Sequence, residues 1–162
     1  MAQVENHSVD PARDPEAIRK AKAQVAEIKK LIASSAEARR QRQNSKPLYE
    51  RLGGRAGLEP VIADIIELHF SEELTKPLTR GVDKQKLVKL VVEWLCHAAG
   101  GPEKYTGRDM ASAHAHLNMT DVHFMAATEQ IQRVLVKHGV PAPEQEEILC
   151  AIATHHDEVI RE

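Results

Sequence analysis

Apolar residues recur at helical spacing in four stretches of the chain between residues 58 and 160. Most neighbouring apolar positions lie three or four residues apart, which is the spacing of one face of an α-helix. No stretch shows the alternation of apolar and polar residues that predicts a half-buried strand. The sequence therefore predicts an all-α fold. The apolar positions are Leu58, Val61, Ile62, Ile65 and Ile66; Leu87, Leu90, Val91, Trp94 and Leu95; Phe124, Ala127, Ile131, Val134 and Leu135; and Ile148, Leu149, Ile152, Val159 and Ile160.

Glycine and proline residues separate the predicted helices. The pair Gly53-Gly54 follows a short first helix, and the pair Gly100-Gly101 follows the helix that contains Trp94. Gly139 and Pro141 separate the last two helices. Adjacent glycines permit positive φ and close backbone crossings, which a helical fold with short loops requires.

The chain changes character near Pro47, where we place the boundary between an N-terminal extension, residues 1–46, and a globular domain, residues 47–162. Before Pro15 the sequence is polar, and we expect disorder there. After Pro15 a heptad stripe predicts an amphipathic helix that needs a partner. Two partners remain open, namely the chain's own domain, or a second copy or partner protein bound through residues 15–35. The stripe contains Ile18, Ala21, Val25, Ile28 and Ile32.

Charge and composition narrow the function classes. The extension carries ten Lys or Arg against six Asp or Glu, so its net charge is +4. The remaining residues have a net charge of −6, which gives −2 for the whole chain. With 3% aromatic residues and no broad basic face, nucleic-acid binding is not expected, and the run Arg39 to Arg42 is interpreted as a solvated linker. No apolar run is long enough for a membrane span or a secretory signal, and with two cysteines the sequence favours the cytoplasm.

Candidate chemistry lies in residues 100–117, a polar, glycine-rich segment that leads into a short helix with His114 and His116. A neutral imidazole is a good ligand for haem iron, and one protein ligand suffices because the porphyrin supplies four nitrogens. A lone histidine on a helix is not specific by itself. The interpretation of His114 therefore depends on the sequence motifs around it.

Those motifs resemble the truncated globins, most closely their first group, from residue 48 to about residue 160. The resemblance implies a two-over-two helical sandwich that holds haem b, with His114 as the iron ligand and His116 at the surface. The motifs are Leu48 to Gly54; Gly100-Gly101-Pro102 with Lys104 to Gly107; Met110, His114 and Leu117; His123-Phe124; and Gly139 to Pro141.

The resemblance also implies a haem pocket, although each apolar member would serve equally well as an ordinary core residue. Three polar residues are expected to contact the haem propionates, or else to form a plain polar loop. The implied apolar lining is Leu78, Leu87, Val91, Met110, Leu117, Phe124 and Val134, and the polar residues are Lys104, Tyr105 and Thr106.

The distal side departs from the family pattern. Ile66 falls where the family has tyrosine and Ile65 where it has phenylalanine, while Leu87 and Val91 fall at the glutamine positions. An aliphatic pocket offers bound oxygen no hydrogen-bond donor, so it should favour NO or CO over oxygen. His69, one turn past Ile66, is interpreted as a rim or core residue rather than a distal group.

These observations predict a haem protein that binds a diatomic gas (NO, CO or O2) for sensing or scavenging. Two alternatives remain, namely a haem-dependent NO dioxygenase or peroxidase, and a haem-free helical interaction module. No hydrolytic triad or phosphate-binding loop is present, and the pair His155-His156 is expected to be solvated near a helix end.

Overall fold

The computed structural model describes residues 9–161 of the chain. This part contains eight α-helices and three short 3-10 turns. An isolated bridge between Met119 and Ile160 is the sole β-type pairing in that part, so the predicted all-α fold is confirmed. The helices are α1 (Pro15–Ser45), α2 (Leu48–Arg51), α3 (Gly54–Ser71), α4 (Lys84–Ala98), α5 (Met110–His114), α6 (Asp121–Lys137), α7 (Ala142–Ala153) and α8 (His156–Val159), and the turns are Pro11–Arg13, Lys76–Thr79 and Ala115–Leu117.

The main core lies between α3, α4, α6 and α7. Helix α3 packs against both α4 and α6, and α6 packs against α7. Their apolar faces are the ones that the sequence spacing predicts, and burial of those faces holds the layers together. The buried residues of this cluster include Leu58, Val61, Ile62, Ile65, Ile66, Val92, Leu95, Cys96, Ile131, Val134, Leu135 and Ile148.

The glycine pairs serve the close crossings for which they were predicted. Gly53 and Gly54 have φ of 82° and 67°, in the left-handed region, where the chain turns from α2 into α3. A Cβ on Gly101 would lie 2.5 Å from the ring of Tyr49, so a larger residue there would push α2 off the end of α4. The two segments are also joined by a hydrogen bond from the backbone of Tyr49 to Ala99 O at 3.0 Å.

Helix α1 packs on its own domain, against α6 and α7. Ala21 and Val25 of the heptad stripe are buried, with 3% and 5% of their surface exposed. Of the two partners left open by the sequence, the structure therefore shows the chain's own domain. It gives no support to a dimer or partner contact through residues 15–35, because the stripe is covered within the chain.

Two expectations for the extension were wrong. Residues 9–14 are ordered rather than disordered, because Asp10 caps a 3-10 turn and the carbonyl of the buried Ala12 accepts a hydrogen bond from the Thr120 hydroxyl at 2.7 Å; residues 1–8 lie outside the described part. The run 39–42 belongs to α1 rather than to a solvated linker. Arg39 donates to Ile32 O at 2.7 Å, and Arg42 lies 3.6 Å from Glu147.

The last predicted helix is divided in two. Helix α7 ends at Ala153 and α8 begins at His156, so Val159 lies in a separate short helix and Ile160 lies in extended backbone. Thr154 turns its hydroxyl back to Cys150 O at 2.7 Å, at the point where α7 stops. No helix among residues 9–161 is long and apolar enough to cross a membrane.

Candidate functional site

His114 ends the short helix α5, which is held at both ends. Asp109 caps its start by accepting a hydrogen bond from the backbone of Ser112 at 2.8 Å. Beyond it, Asn118 closes the 3-10 turn with a left-handed φ of 50°. Nδ1 of His114 lies 2.8 Å from Met110 O, one helical turn back, and Nε2 has no hydrogen-bond partner among the described residues.

This arrangement leaves the His114 imidazole suited to bind a metal. Nδ1 donates its hydrogen to a carbonyl, which fixes the tautomer and leaves the lone pair on Nε2. Burial lowers the pKa of His114 below its ordinary value, and the charges of His116, Arg108 and His155 lower it further. The neutral ring that an iron ligand requires is therefore the favoured form.

Helix α4 has an apolar face that is only partly covered by the rest of the chain. Leu87, Val91 and Trp94 are spaced by four and three residues, and all three pack against the main core yet remain half-buried. The ring of Trp94 meets the ring of His155 edge to face, with centroids 5.6 Å apart. His155 also contributes to the lowered pKa of His114.

These residues fit a haem group. A haem needs one neutral imidazole nitrogen for its iron and a broad apolar surface for its ring. His114 Nε2 would supply the first, and the half-buried side chains of α4 would supply the second. Neither Trp94 nor His155 was among the site residues predicted from the sequence. Trp94 could have been found, because it continues the spacing of Leu87 and Val91.

The predicted distal residues form an aliphatic set. Ile65 and Ile66 on α3 are buried in the main core, and Leu87 and Val91 on α4 are half-buried against it. The nearby His69 is held elsewhere, because its Nδ1 lies 2.5 Å from the side-chain oxygen of Gln130 on α6. Burial lowers the pKa of His69, which keeps its ring neutral. This geometry agrees with the interpretation of His69 as a core or rim residue.

The remaining apolar members of the predicted pocket are not brought together in one cluster. Val134 belongs to the main core, and Leu78 and Leu117 are half-buried. Phe124 is buried in a second cluster, against which Met110 packs. The second cluster also includes Val25 of α1, which the sequence analysis did not connect to the pocket.

The three residues predicted to contact the propionates differ in whether their side chains are already hydrogen-bonded within the chain. The Thr106 hydroxyl donates to a carboxylate oxygen of Glu93 at 2.7 Å, and this bond together with the Thr106 backbone N–H lowers the pKa of Glu93. The Tyr105 hydroxyl donates to Arg108 O at 2.6 Å. Lys104 is exposed. The contact of these three residues with propionates stays a prediction.

Three histidines outside α5 have distinct surroundings. His116 is exposed, as predicted. His155 is half-buried beside Trp94, whereas His156 is buried and bonded to Asp121 through Nε2. The expectation that the pair 155–156 is simply solvated was wrong, because α1 and α6 cover the second of them.

Comparison with known proteins places the chain in a family. Residues 47–160 match the family model of bacterial-like globins. The chain is 31% identical over 116 residues to the group 1 truncated hemoglobin GlbN of Mycolicibacterium paratuberculosis, which covers 72% of this chain and 85% of that protein. It is 30% identical over 95 residues to GlbN of Nostoc commune, which covers 59% of this chain and 80% of that protein.

A solved structure establishes the fold. The truncated hemoglobin of Tetrahymena pyriformis in its Fe(III) form superposes with a TM-score of 0.68 and 24% identity, covering 72% of this chain and all of that one. The two-over-two helical sandwich expected from the sequence motifs is thus confirmed for the globular part of the chain.

Proposed function

Since the chain belongs to the bacterial-like globin family, which indicates a protein that binds haem and a diatomic gas, we propose that His114 is the iron ligand of haem b. One observation carries the proposal, namely that Nδ1 of His114 is bonded to Met110 O and leaves Nε2 for the metal. Haem iron, when bound, supplies the coordination position at which a diatomic gas binds reversibly.

The chain's own residues would hold the haem between α4 and α5. Leu87, Val91 and Trp94 provide the apolar surface on α4, and His155 packs against the edge of that surface. Lys104 is an exposed cation in the segment before α5 and suits a propionate. We assign the division into an extension, residues 1–46, and a globin domain, residues 47–162, as part of this proposal.

The aliphatic distal set supports a preference among gases. A bound oxygen molecule carries partial negative charge and gains from a hydrogen-bond donor, whereas CO and NO depend on one much less. Ile65, Ile66, Leu87 and Val91 offer no side-chain donor. We therefore propose that the protein releases oxygen quickly and serves in sensing or scavenging of NO or CO.

The proposal is tested by visible spectra of the reconstituted protein in its ferric, ferrous and ferrous-CO forms. We expect stoichiometric haem uptake, a five-coordinate ferrous form and a stable CO complex. A six-coordinate ferrous form would point to an internal ligand and contradict the open aliphatic pocket. Absence of specific haem uptake would leave a helical interaction module and overturn the proposal.

Replacing Leu87 with glutamine is expected to slow oxygen dissociation by roughly 10- to 100-fold, since a hydrogen bond to a charged acceptor contributes about 1.5–3 kcal/mol. The position is half-buried, so the amide can be accommodated without burying an unpaired polar group. Stopped-flow displacement of oxygen by CO measures the rate.

The Leu87→Met variant is the matched control, because it keeps the side-chain volume and adds no donor. Its oxygen dissociation should stay close to that of the parent protein. Equal slowing in both variants would show that the effect comes from shape rather than from a hydrogen bond. Rapid stoichiometric nitrate formation, when the parent protein loaded with oxygen is mixed with NO, would instead favour a dioxygenase.

A further inference from the structure

Helix α1 contributes to the apolar cluster on which the start of α5 rests. Val25 of α1 is buried together with Phe124 of α6 and Val159 of α8, and Met110 packs against this cluster. Met110 is also the residue whose carbonyl oxygen lies 2.8 Å from Nδ1 of His114. The side chain of Met110 thus packs on the cluster to which α1 contributes Val25, while its main-chain oxygen lies next to Nδ1 of His114.

Two lysines of α1 are connected to His156 through two aspartates, and we call this set of contacts the ionic bridge. Lys22 and Lys29 lie seven residues apart, on the face of α1 that carries Val25. Nζ of Lys22 lies 3.0 Å from Asp121, and Nζ of Lys29 lies 2.8 Å from Asp157. Both aspartates bind the ring of His156, Asp121 at Nε2 and Asp157 at Nδ1.

The apolar cluster and the ionic bridge meet at one aromatic ring. Phe124 packs edge to face on His156, with ring centroids 4.8 Å apart, and it belongs to the cluster that supports Met110. Both rings are buried, so neither can move without disturbing its neighbours. Helix α8 also packs directly against α5. A displacement of α1 would therefore reach α5 through two connected sets of contacts.

We infer that α1 is a positioning element for His114, acting through Val25 and through the bridge from Lys22 and Lys29. Docked α1 fixes Met110, and Met110 O fixes the Nδ1–H tautomer and the direction of Nε2. This inference rests on the proposed role of His114 as the iron ligand. The extension would then have a function in the haem site. Displacement of α1 from the domain would alter the iron–histidine bond.

The first test is Val25→Ala, compared with Leu31→Ala as the matched control. Leu31 lies on the same helix but is 40% exposed, so its truncation removes apolar surface without reaching the cluster. The readout in the haem-free protein is the tautomer of His114, measured from its ring nitrogens by NMR. We expect the parent protein and Leu31→Ala to show the Nδ1–H form, and Val25→Ala to show an added Nε2–H population.

The second test removes the bridge with Lys22→Met and Lys29→Met together, which removes both charges, keeps most of the length of each side chain and leaves the apolar cluster intact. Lys20→Met with Lys30→Met is the control, since both of these lysines are exposed on α1. Resonance Raman spectra of the ferrous haem protein report the iron–histidine stretching band. We expect this band to shift or broaden in the bridge variant and in Val25→Ala, and to stay unchanged in both controls.

An unchanged tautomer and an unchanged band in both the Val25 and the bridge variants would overturn the inference. Failure of Val25→Ala to fold leaves the bridge variant as the test. Failure of the parent protein to bind haem would overturn the proposed function, whereas the NMR comparison would still decide whether α1 positions His114.

Discussion

The His114→Ala variant is expected to lose specific haem binding, with at least about a 100-fold fall in affinity. Even changes to the groups that only support a metal ligand cost about 10- to 100-fold, and this change removes the ligand itself. His114 is half-buried and its Nδ1 is bonded within its own helix, so alanine removes the iron ligand while Asp109 still caps α5. Titration of the haem-free protein, followed at the Soret band, measures the loss.

The control is His116→Ala, because His116 lies on the same short segment but is exposed. Its haem affinity and ferrous spectrum should match those of the parent protein. If His114→Ala retained a five-coordinate ferrous form while His116→Ala lost it, the proposed ligand would be wrong. A retained spectrum in both variants would direct attention to His155, which lies beside Trp94.

Residue spacing predicts the layers of the fold because each helix has one apolar face to bury. Ile62 and Ile66 on α3, and Ile131 and Leu135 on α6, are one turn apart in sequence and lie in the same core. The ends of the helices were harder to predict from the sequence. The sequence continues its apolar spacing to Val159, but the helix breaks after Ala153, where the Thr154 hydroxyl donates to Cys150 O.

The docking of α1 could not be derived from its sequence, since a heptad stripe specifies burial but not what covers it. The partners are far away in the chain. Lys22 pairs with Asp121, and the hydroxyl that binds Ala12 belongs to Thr120. The same distance in sequence conceals the burial of His156, which looks like a solvated residue near a helix end until α1 is placed over it.

In the candidate site, too, some residues could be predicted from local motifs and others could not. His114 was identified from a resemblance of local motifs, and its bond to Met110 O is a contact within one turn that the sequence separation allows. Trp94 lies on α4 and His155 lies between α7 and α8, so their ring contact depends on tertiary packing. Local motifs therefore predict the proposed ligand, whereas the contacts of Trp94 and His155 depend on tertiary packing.

Replacing Arg51 with leucine is expected to lower the free energy of unfolding by about 3 kcal/mol, because it leaves two largely buried carboxylates without their main cation. Arg51 lies on α2 and its guanidinium binds Glu144 and Glu147 of α7, both at 2.9 Å. The side chains of Arg51 and Glu147 are 13% and 6% exposed. The bond to Glu147 raises the pKa of Arg51, as expected for a cation that the site favours. Urea denaturation measures the change.

Two further variants separate a buried ionic cluster from ordinary surface pairing. Arg40→Leu breaks the exposed pair with Glu37 on α1 and should cost less than about 0.5 kcal/mol. The double variant Arg51→Leu/Glu147→Leu should recover part of the loss, because it removes one of the two carboxylates that the single variant leaves without their main cation. Equal destabilisation by Arg51→Leu and Arg40→Leu would show that the α2–α7 contact contributes no more than a surface ion pair, and that apolar packing alone holds α2 in place.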